Sequence, residues 1–185
     1  MIETERLLIR KPMLVDAKPL NDVINRSLVE LQRWMPWAND PSLATTEKFI
    51  EDAMKQWDSD KQTDFPMIVV LKATGQIIGA SGYNNQSNKD VPFYEIGYWL
   101  DTHYTGQGLA TELTAALTHY AFTEYQAARV QIKIQAANER SRNVAERCGF
   151  TIEARLHHHC IDCQTGEPAD DLIYAMFDLD QLITR

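Results

Sequence analysis

Tyr104-Thr105-Gly106-Gln107-Gly108-Leu109-Ala110-Thr111-Glu112 joins an apolar strand to an amphipathic helix. Upstream, Phe93-Tyr94-Glu95-Ile96-Gly97-Tyr98-Trp99-Leu100 is rich in aromatic residues and reads as a strand. Downstream, Leu109, Leu113, Leu117 and Tyr120 recur at helical spacing, while Ala110, Ala116 and Ala121 let that face pack closely. The loop therefore gathers the unpaired N–H groups of a helix N-terminus, and its glycines let a ligand approach the backbone. A helix start carries about half a positive charge, which stabilises a pyrophosphate by roughly 0.3 to 2 kcal/mol. The competing reading is a plain strand-to-helix connection, so the context of the glycines has to decide.

Two nucleotide folds lose ground on that context. A Rossmann loop wants a third glycine, where this chain has Thr111, and an acidic residue at the end of the next strand. That strand, Arg129-Val130-Gln131-Ile132-Lys133-Ile134-Gln135, runs into Ala136-Ala137-Asn138 with no acid in place. A P-loop needs Gly-Lys-Ser or Gly-Lys-Thr, which does not follow the glycines here. A different pattern fits. The segment His103-Tyr104-Thr105-Gly106-Gln107-Gly108 is similar to the Arg/Gln-x-x-Gly-x-Gly/Ala phosphate loop of the GNAT family of acetyl-coenzyme A dependent N-acetyltransferases, with His103 at its first position. A second family element, Asn-x-x-Ser followed closely by Gly-Phe, matches Asn138 to Ser141 and then Gly149-Phe150. The opening Thr4-Glu5-Arg6-Leu7-Leu8-Ile9-Arg10 and the strand Glu95 to Leu100 resemble the RimJ/RimL type, which acetylates N-termini of ribosomal proteins.

The resemblance spans nearly the whole chain. It implies a mixed α/β fold whose central, mostly antiparallel sheet is flanked by helices and contains a splayed central strand pair. It implies acetyl-coenzyme A as cosubstrate. Pantetheine would bond to backbone groups freed at Trp99, Leu100 and Thr102, and the pyrophosphate would meet Thr105, Gly106, Gln107, Gly108, Leu109, Ala110 and Thr111. Asn138 would touch pantetheine, and Ser141 would stand near the coenzyme sulfur as donor to the departing thiolate. The tyrosine acid that many members carry seven residues after the asparagine is replaced here by Ala145.

Composition sets wider bounds. At 185 residues the chain suits one domain, 1–185, large enough to bury around 70% of its unfolded surface. Its 44% hydrophobic and 24% charged residues describe an ordinary globule. No apolar run approaches the roughly 20 residues that span a bilayer, and the opening lacks the order of a signal peptide, so a cytoplasmic protein without a membrane partner is expected. A formal charge of -8 argues against direct nucleic-acid binding and leaves a cationic substrate open, as does ordinary acidic solubility. A homodimer is left open as well.

Cys148, Cys160 and Cys163 make no disulfide framework. The run His157-His158-His159-Cys160-Ile161-Asp162-Cys163 invites a metal, but a strand alternates its side chains and a second ligand pair at finger-like spacing is missing, so none is expected. The segment reads instead as an exposed strand lining a substrate cleft.

The remaining elements follow from periodicity and punctuation. A strand is expected over Arg6 to Lys11, helices over Val15 to Asn25 and Leu28 to Trp34, and a third helix capped by Thr45 and Thr46, with Phe49, Ile50, Ala53, Met54 and Trp57 on its apolar face. Strands over Met67 to Lys72 and Gln76 to Tyr83 flank a turn at Thr74-Gly75. The helix over Glu139 to Arg147 stops at Gly149, and strands over Thr151 to Ile161 and Asp171 to Phe177 close the chain.

Glu95 is the leading catalytic carboxylate, because a charge in mid-strand among apolar neighbours is costly unless used or paired. Alternation puts Phe93, Glu95, Gly97 and Trp99 on one face, the expected substrate side; a structural ion pair is the other reading. Asp170, at the turn into the last strand, is a weaker acidic candidate for the substrate site. Within Trp34-Met35-Pro36-Trp37, either tryptophan lines the acceptor groove or simply packs a corner. The expected reaction is attack of a neutral primary amine on the thioester, with Glu95 accepting the proton through water. The first acceptor is a protein N-terminus. A small polycation such as an aminoglycoside or polyamine is the alternative, and a non-catalytic acetyl-coenzyme A sensor is a third.

Overall fold

The structure, a computed structural model, describes residues 1–59, 62, 64–84, 86–88 and 90–184. Its strands are β1 (Ile2–Glu3), β2 (Leu7–Arg10), β3 (Phe65–Leu71), β4 (Gln76–Tyr83), β5 (Phe93–Leu100), β6 (Arg129–Gln135), β7 (Thr151–Ile161) and β8 (Pro168–Met176). The helices are α1 (Ala17–Arg26), α2 (Leu28–Trp34), α3 (Leu43–Trp57), α4 (Leu109–Glu124) and α5 (Glu139–Arg147). The strands lie in the order β1-β2-β3-β4-β5-β6-β8-β7, antiparallel throughout except for the parallel pair β5–β6. This is the mixed α/β sheet expected from the resemblance.

A parallel pair cannot be closed by a hairpin, so α4 carries the chain across from β5 to β6. That crossover is why the glycine loop sits at the C-terminal end of the central strand. The apolar face of α4, with Leu109, Leu113, Leu117 and Ala121 fully or nearly fully buried, packs on Tyr94, Ile96, Val130, Ile132 and Tyr174 of the sheet. On the opposite face, Leu20, Val23 and Ile24 of α1 and Ile50 and Ala53 of α3 cover Ile68, Val70, Ile77 and Ala80. Strand β5 serves both layers by alternation: Tyr98 and Leu100 pack with the first core and Trp99 with the second.

Several boundaries differ from expectation for local reasons. Ser42, not Thr45 or Thr46, caps α3: its Oγ accepts the N–H of Thr45 at 3.2 Å, while Thr46 lies buried a turn inside. Helix α1 starts at Ala17, after a 3-10 turn over Leu14–Asp16. Strand β8 begins at Pro168, a position where a strand tolerates the missing N–H, so Asp170 and Asp171 lie within it rather than at its entrance. Strand β7 slips register between Leu156 and Cys160, with His158 at φ +52°, which breaks the expected alternation of the three histidines.

Candidate active site

The two central strands stay paired over Phe93↔Arg129, Tyr94↔Val130 and Glu95↔Gln131, and the ladder ends there. Beyond that rung, β5 continues to Leu100 bonded only on its β4 side, through Ile96↔Tyr83, Gly97↔Gly82, Tyr98↔Ser81, Trp99↔Ala80 and Leu100↔Gly79. The backbone groups of this stretch that point toward β6 have no strand opposite them. A cleft of about 430 Å³ opens in the gap.

The cleft is assembled from four places. Tyr98, Trp99 and Leu100 come from the end of β5, followed by Thr102. Thr105, Gly106 and Gly108 line it from the loop, and Leu109, Ala110 and Thr111 from the first turn of α4. Asn138 and Ser141 line it from α5, and Glu30 and Trp34 from α2. Of the residues expected to meet the coenzyme, Gln107 does not line it; its carbonyl accepts from Arg6 Nη1 at 2.9 Å, and its side chain donates to the His103 carbonyl at 3.2 Å. Thr102 lines the cleft, but its N–H donates to Ser27 Oγ at 3.1 Å, so that amide is already used.

Gly106 and Gly108 both adopt positive φ, +76° and +78°, and Gly108 is the cap residue of α4. A side chain at Gly106 would meet nothing within 4 Å, so backbone conformation, and not packing, selects glycine there. The loop is fastened from two sides. The Arg6 guanidinium bonds Glu112 at 2.6 Å and the Gln107 carbonyl, placing a cation beside the helix start. Behind the loop, fully buried Asp101 accepts from Arg26 at 2.7 Å, from the His103 N–H at 3.1 Å and from Ser27 Oγ at 3.3 Å. Burial opposes its ionisation, yet the bonds from His103 and Arg26 prevail and hold the carboxyl below its ordinary range. His103 therefore supports the loop through Asp101, with its ring nitrogen 3.0 Å from that carboxylate.

Within the cleft the Tyr98 and Ser141 hydroxyls are 2.8 Å apart. Asn138 caps α5 by accepting the Ser141 N–H at 3.1 Å, which fixes where Ser141 stands. Burial raises the Tyr98 pKa far above that of an ordinary phenol, outweighing the Ser141 bond, so the group stays protonated. Sequence reasoning missed Tyr98. The signal available was its position between Gly97 and Trp99, on the side of the strand opposite Glu95. Nearby, burial pushes the Cys148 thiol up to about 12, which leaves it an inert packing group.

The acidic candidates stand elsewhere. Glu95 is 2% exposed, outside the cleft lining, with Asn84 Nδ2 donating to one oxygen at 2.6 Å and Gln131 Nε2 to the other. It thus links the two side chains of the last β5–β6 rung. Asp170 bonds Arg155 at 2.7 Å, the His158 N–H at 3.0 Å and His157 at 3.1 Å within the β7–β8 hairpin. The His158 amide and then Arg155 lower its pKa to about 2. His159 bonds the buried Asp171 at 2.8 Å. Among the described residues, no group of three His, Cys, Asp or Glu side chains converges as a metal site. Trp34 lines the cleft, whereas Trp37 faces Trp99, ring centroids 5.8 Å apart, in a second cavity.

A splayed parallel pair ending at a glycine-capped helix is what the resemblance to acetyl-coenzyme A dependent acyltransferases implies. The acetyltransferase (GNAT) domain model matches residues 6–151, and the chain belongs to that family of N-acetyltransferases. It is 32% identical over 155 residues to the putative ribosomal N-acetyltransferase YdaF of Bacillus subtilis (strain 168), covering 82% of this chain and 81% of that protein. It is 30% identical over 145 residues to the ribosomal-protein-serine acetyltransferase of Escherichia coli (strain K12), 76% of each. The solved structure of RimL, the ribosomal L7/L12 alpha-N-protein acetyltransferase in complex with coenzyme A, superposes at a TM-score of 0.85, covering 95% of this chain and 96% of that one; at 23% identity the likeness is one of fold. Among the described residues no helix is long and apolar enough to cross a membrane.

Proposed function

We propose that this acetyltransferase moves acetyl from acetyl-coenzyme A to the N-terminal α-amine of a protein, a ribosomal protein foremost, by direct attack on the thioester. The observation that carries the transfer step is the Tyr98–Ser141 hydroxyl pair in the cleft that the splay opens. Pantetheine enters along the unpaired edge of β5, and the pyrophosphate rests on the loop at Gly106 and Gly108, beside Arg6. An N–H of that edge polarises the thioester carbonyl. As the nitrogen–carbon bond forms and the carbon–sulfur bond breaks, the amine releases its proton to water and the coenzyme leaves as a thiolate that accepts a hydrogen bond from Ser141, while Tyr98, protonated by virtue of burial, donates to Ser141. This pair takes the place of the tyrosine that Ala145 lacks.

The amine needs little help. Near pH 7.5 an α-amine with a pKa of about 7.7 to 8 is roughly a quarter to two-fifths neutral, against about 0.1% for a lysine near 10.4. Glu30, at the cleft mouth beside Arg140, meets the incoming ammonium. Glu95 acts through structure, as the positioning residue at the root of the splay. Relatives named for ribosomal proteins support a protein acceptor.

The test follows free thiol and acetylated product with acetyl-coenzyme A and three acceptor sets: peptides with free N-termini, the same peptides with only lysine amines free, and polyamines with aminoglycosides. Release confined to free N-termini is expected. Release with the polycations alone assigns the small-amine reading, and coenzyme binding without any release assigns a sensor.

A further inference from the structure

The second cavity, about 300 Å³, lies between α1, α3 and β4, on the opposite side of the sheet from α4. Its floor is Leu20, Ile24 and Ala80, and its walls are Trp37, Phe49 and Trp99. Trp37 and Phe49 are 45% and 41% exposed. Two large rings left facing water across an apolar hollow leave a large gain available to whatever covers them. Trp99 is the shared wall: it also lines the coenzyme cleft, one residue before Leu100. The hollow therefore shares a wall with the cleft.

Two of the polar side chains lining the hollow bond within the protein. Asp40 accepts from the Thr45 hydroxyl and from the Ser42 N–H at 3.1 Å. Thr46 Oγ accepts from Asn21 at 3.0 Å and donates to the Ser42 carbonyl at 3.3 Å. The rest of the lining is ring and aliphatic surface, so a polar group seated against it would give up water without a matched partner, which is costly. An apolar group would gain. The size falls at the lower end of small-molecule pockets, room for one ring system or a branched aliphatic chain.

We propose that this cavity receives the side chain of the acceptor's first residue, and that the enzyme favours acceptors beginning with an aromatic or large aliphatic residue over those beginning with serine or alanine. The proposal rests on the acetyl-transfer reading of the cleft. It also disfavours aminoglycosides, whose rings are covered with hydroxyl and ammonium groups.

Calorimetry on protein saturated with coenzyme A, which cannot react, compares phenylalaninamide with alaninamide as mimics of a first residue. Phenylalaninamide is expected to bind on the order of tenfold more tightly, the scale of burying a phenyl ring. Phe49→Ala and Trp37→Ala should each bring the two affinities within about twofold, while Phe49→Tyr keeps the preference; melting curves check that each variant is folded. Equal affinities in the unaltered protein, or a preference that survives both alanine variants, overturns the pocket. Thiol release from acetyl-coenzyme A with the same two amides separates the two readings. A binding preference without any release overturns acetyl transfer and supports the pocket, whereas release at equal efficiency for both amides overturns the pocket and supports transfer.

Discussion

One hydroxyl separates tyrosine from phenylalanine, and at position 98 that atom stands 2.8 Å from Ser141. A hydrogen bond of this kind contributes around 1 kcal/mol, because a thiolate leaving group with a pKa near 8.5 needs modest assistance at neutral pH. Tyr98→Phe and Ser141→Ala should each slow single-turnover transfer about five- to tenfold. The two act in series, so the double variant should be little slower than either single one. Losses that multiply would show two independent roles, and an unchanged rate in Ser141→Ala would reduce that residue to a helix-start scaffold.

At the scale of the element, the proposed coenzyme binding rests on the junction of β5 with α4. Gly108 holds φ +78° with only the Arg6 guanidinium near it, 3.6 Å from where a Cβ would stand. Gly108→Val should therefore weaken coenzyme binding sharply through backbone strain of about 1 to 3 kcal/mol, not through a clash with the protein. Gly108→Asn should be milder, since asparagine visits the left-handed region more readily. Comparable affinity for all three proteins by calorimetry removes the loop from the site. The support beneath it depends on pH through Asp101, whose pKa is lowered in the folded state. A depressed carboxyl contributes stability that is complete above its unfolded value near 3.9 and is lost as pH falls through the folded value. The stability difference between the wild type and Asp101→Asn should be constant from pH 7 down to about 5 and shrink below about 4. A difference that grows on acidification would contradict the clamp.

Across the whole molecule the two halves of the sheet are joined by a three-rung parallel pair, and Glu95 holds its last rung through Asn84 and Gln131. Glu95→Gln sets an amide donor against these two amides, so one buried group loses its partner. The cost should be about 1 to 3 kcal/mol in denaturant unfolding. Turnover should fall with it, while the pH profile of kcat keeps its shape. A profile that loses its acid limb in this variant would make Glu95 the proton acceptor after all.

How far the chain could be read without its structure follows the range of each signal. The span of β5, the loop and the start of α4, the whole of β6 and α5, and the two family motifs are local patterns, and each was legible because strand alternation, helical spacing and glycine punctuation act over a few residues. The burial of Glu95 was legible for the same reason. Its neighbours were not: Asn84 reaches it from just beyond the end of β4 and Gln131 from β6, and only the pairing of the strands sets them opposite. Likewise Tyr98 meets Ser141 across 43 residues of chain. Trp37 and Phe49 flank Trp99 because α1 and α3 pack on β3 and β4, a result of layer packing that no local period encodes. The sequence by itself determined the elements, their order and the family. The tertiary structure decided which side chains meet, because strand register and the seating of helices on the sheet are settled by the whole core at once.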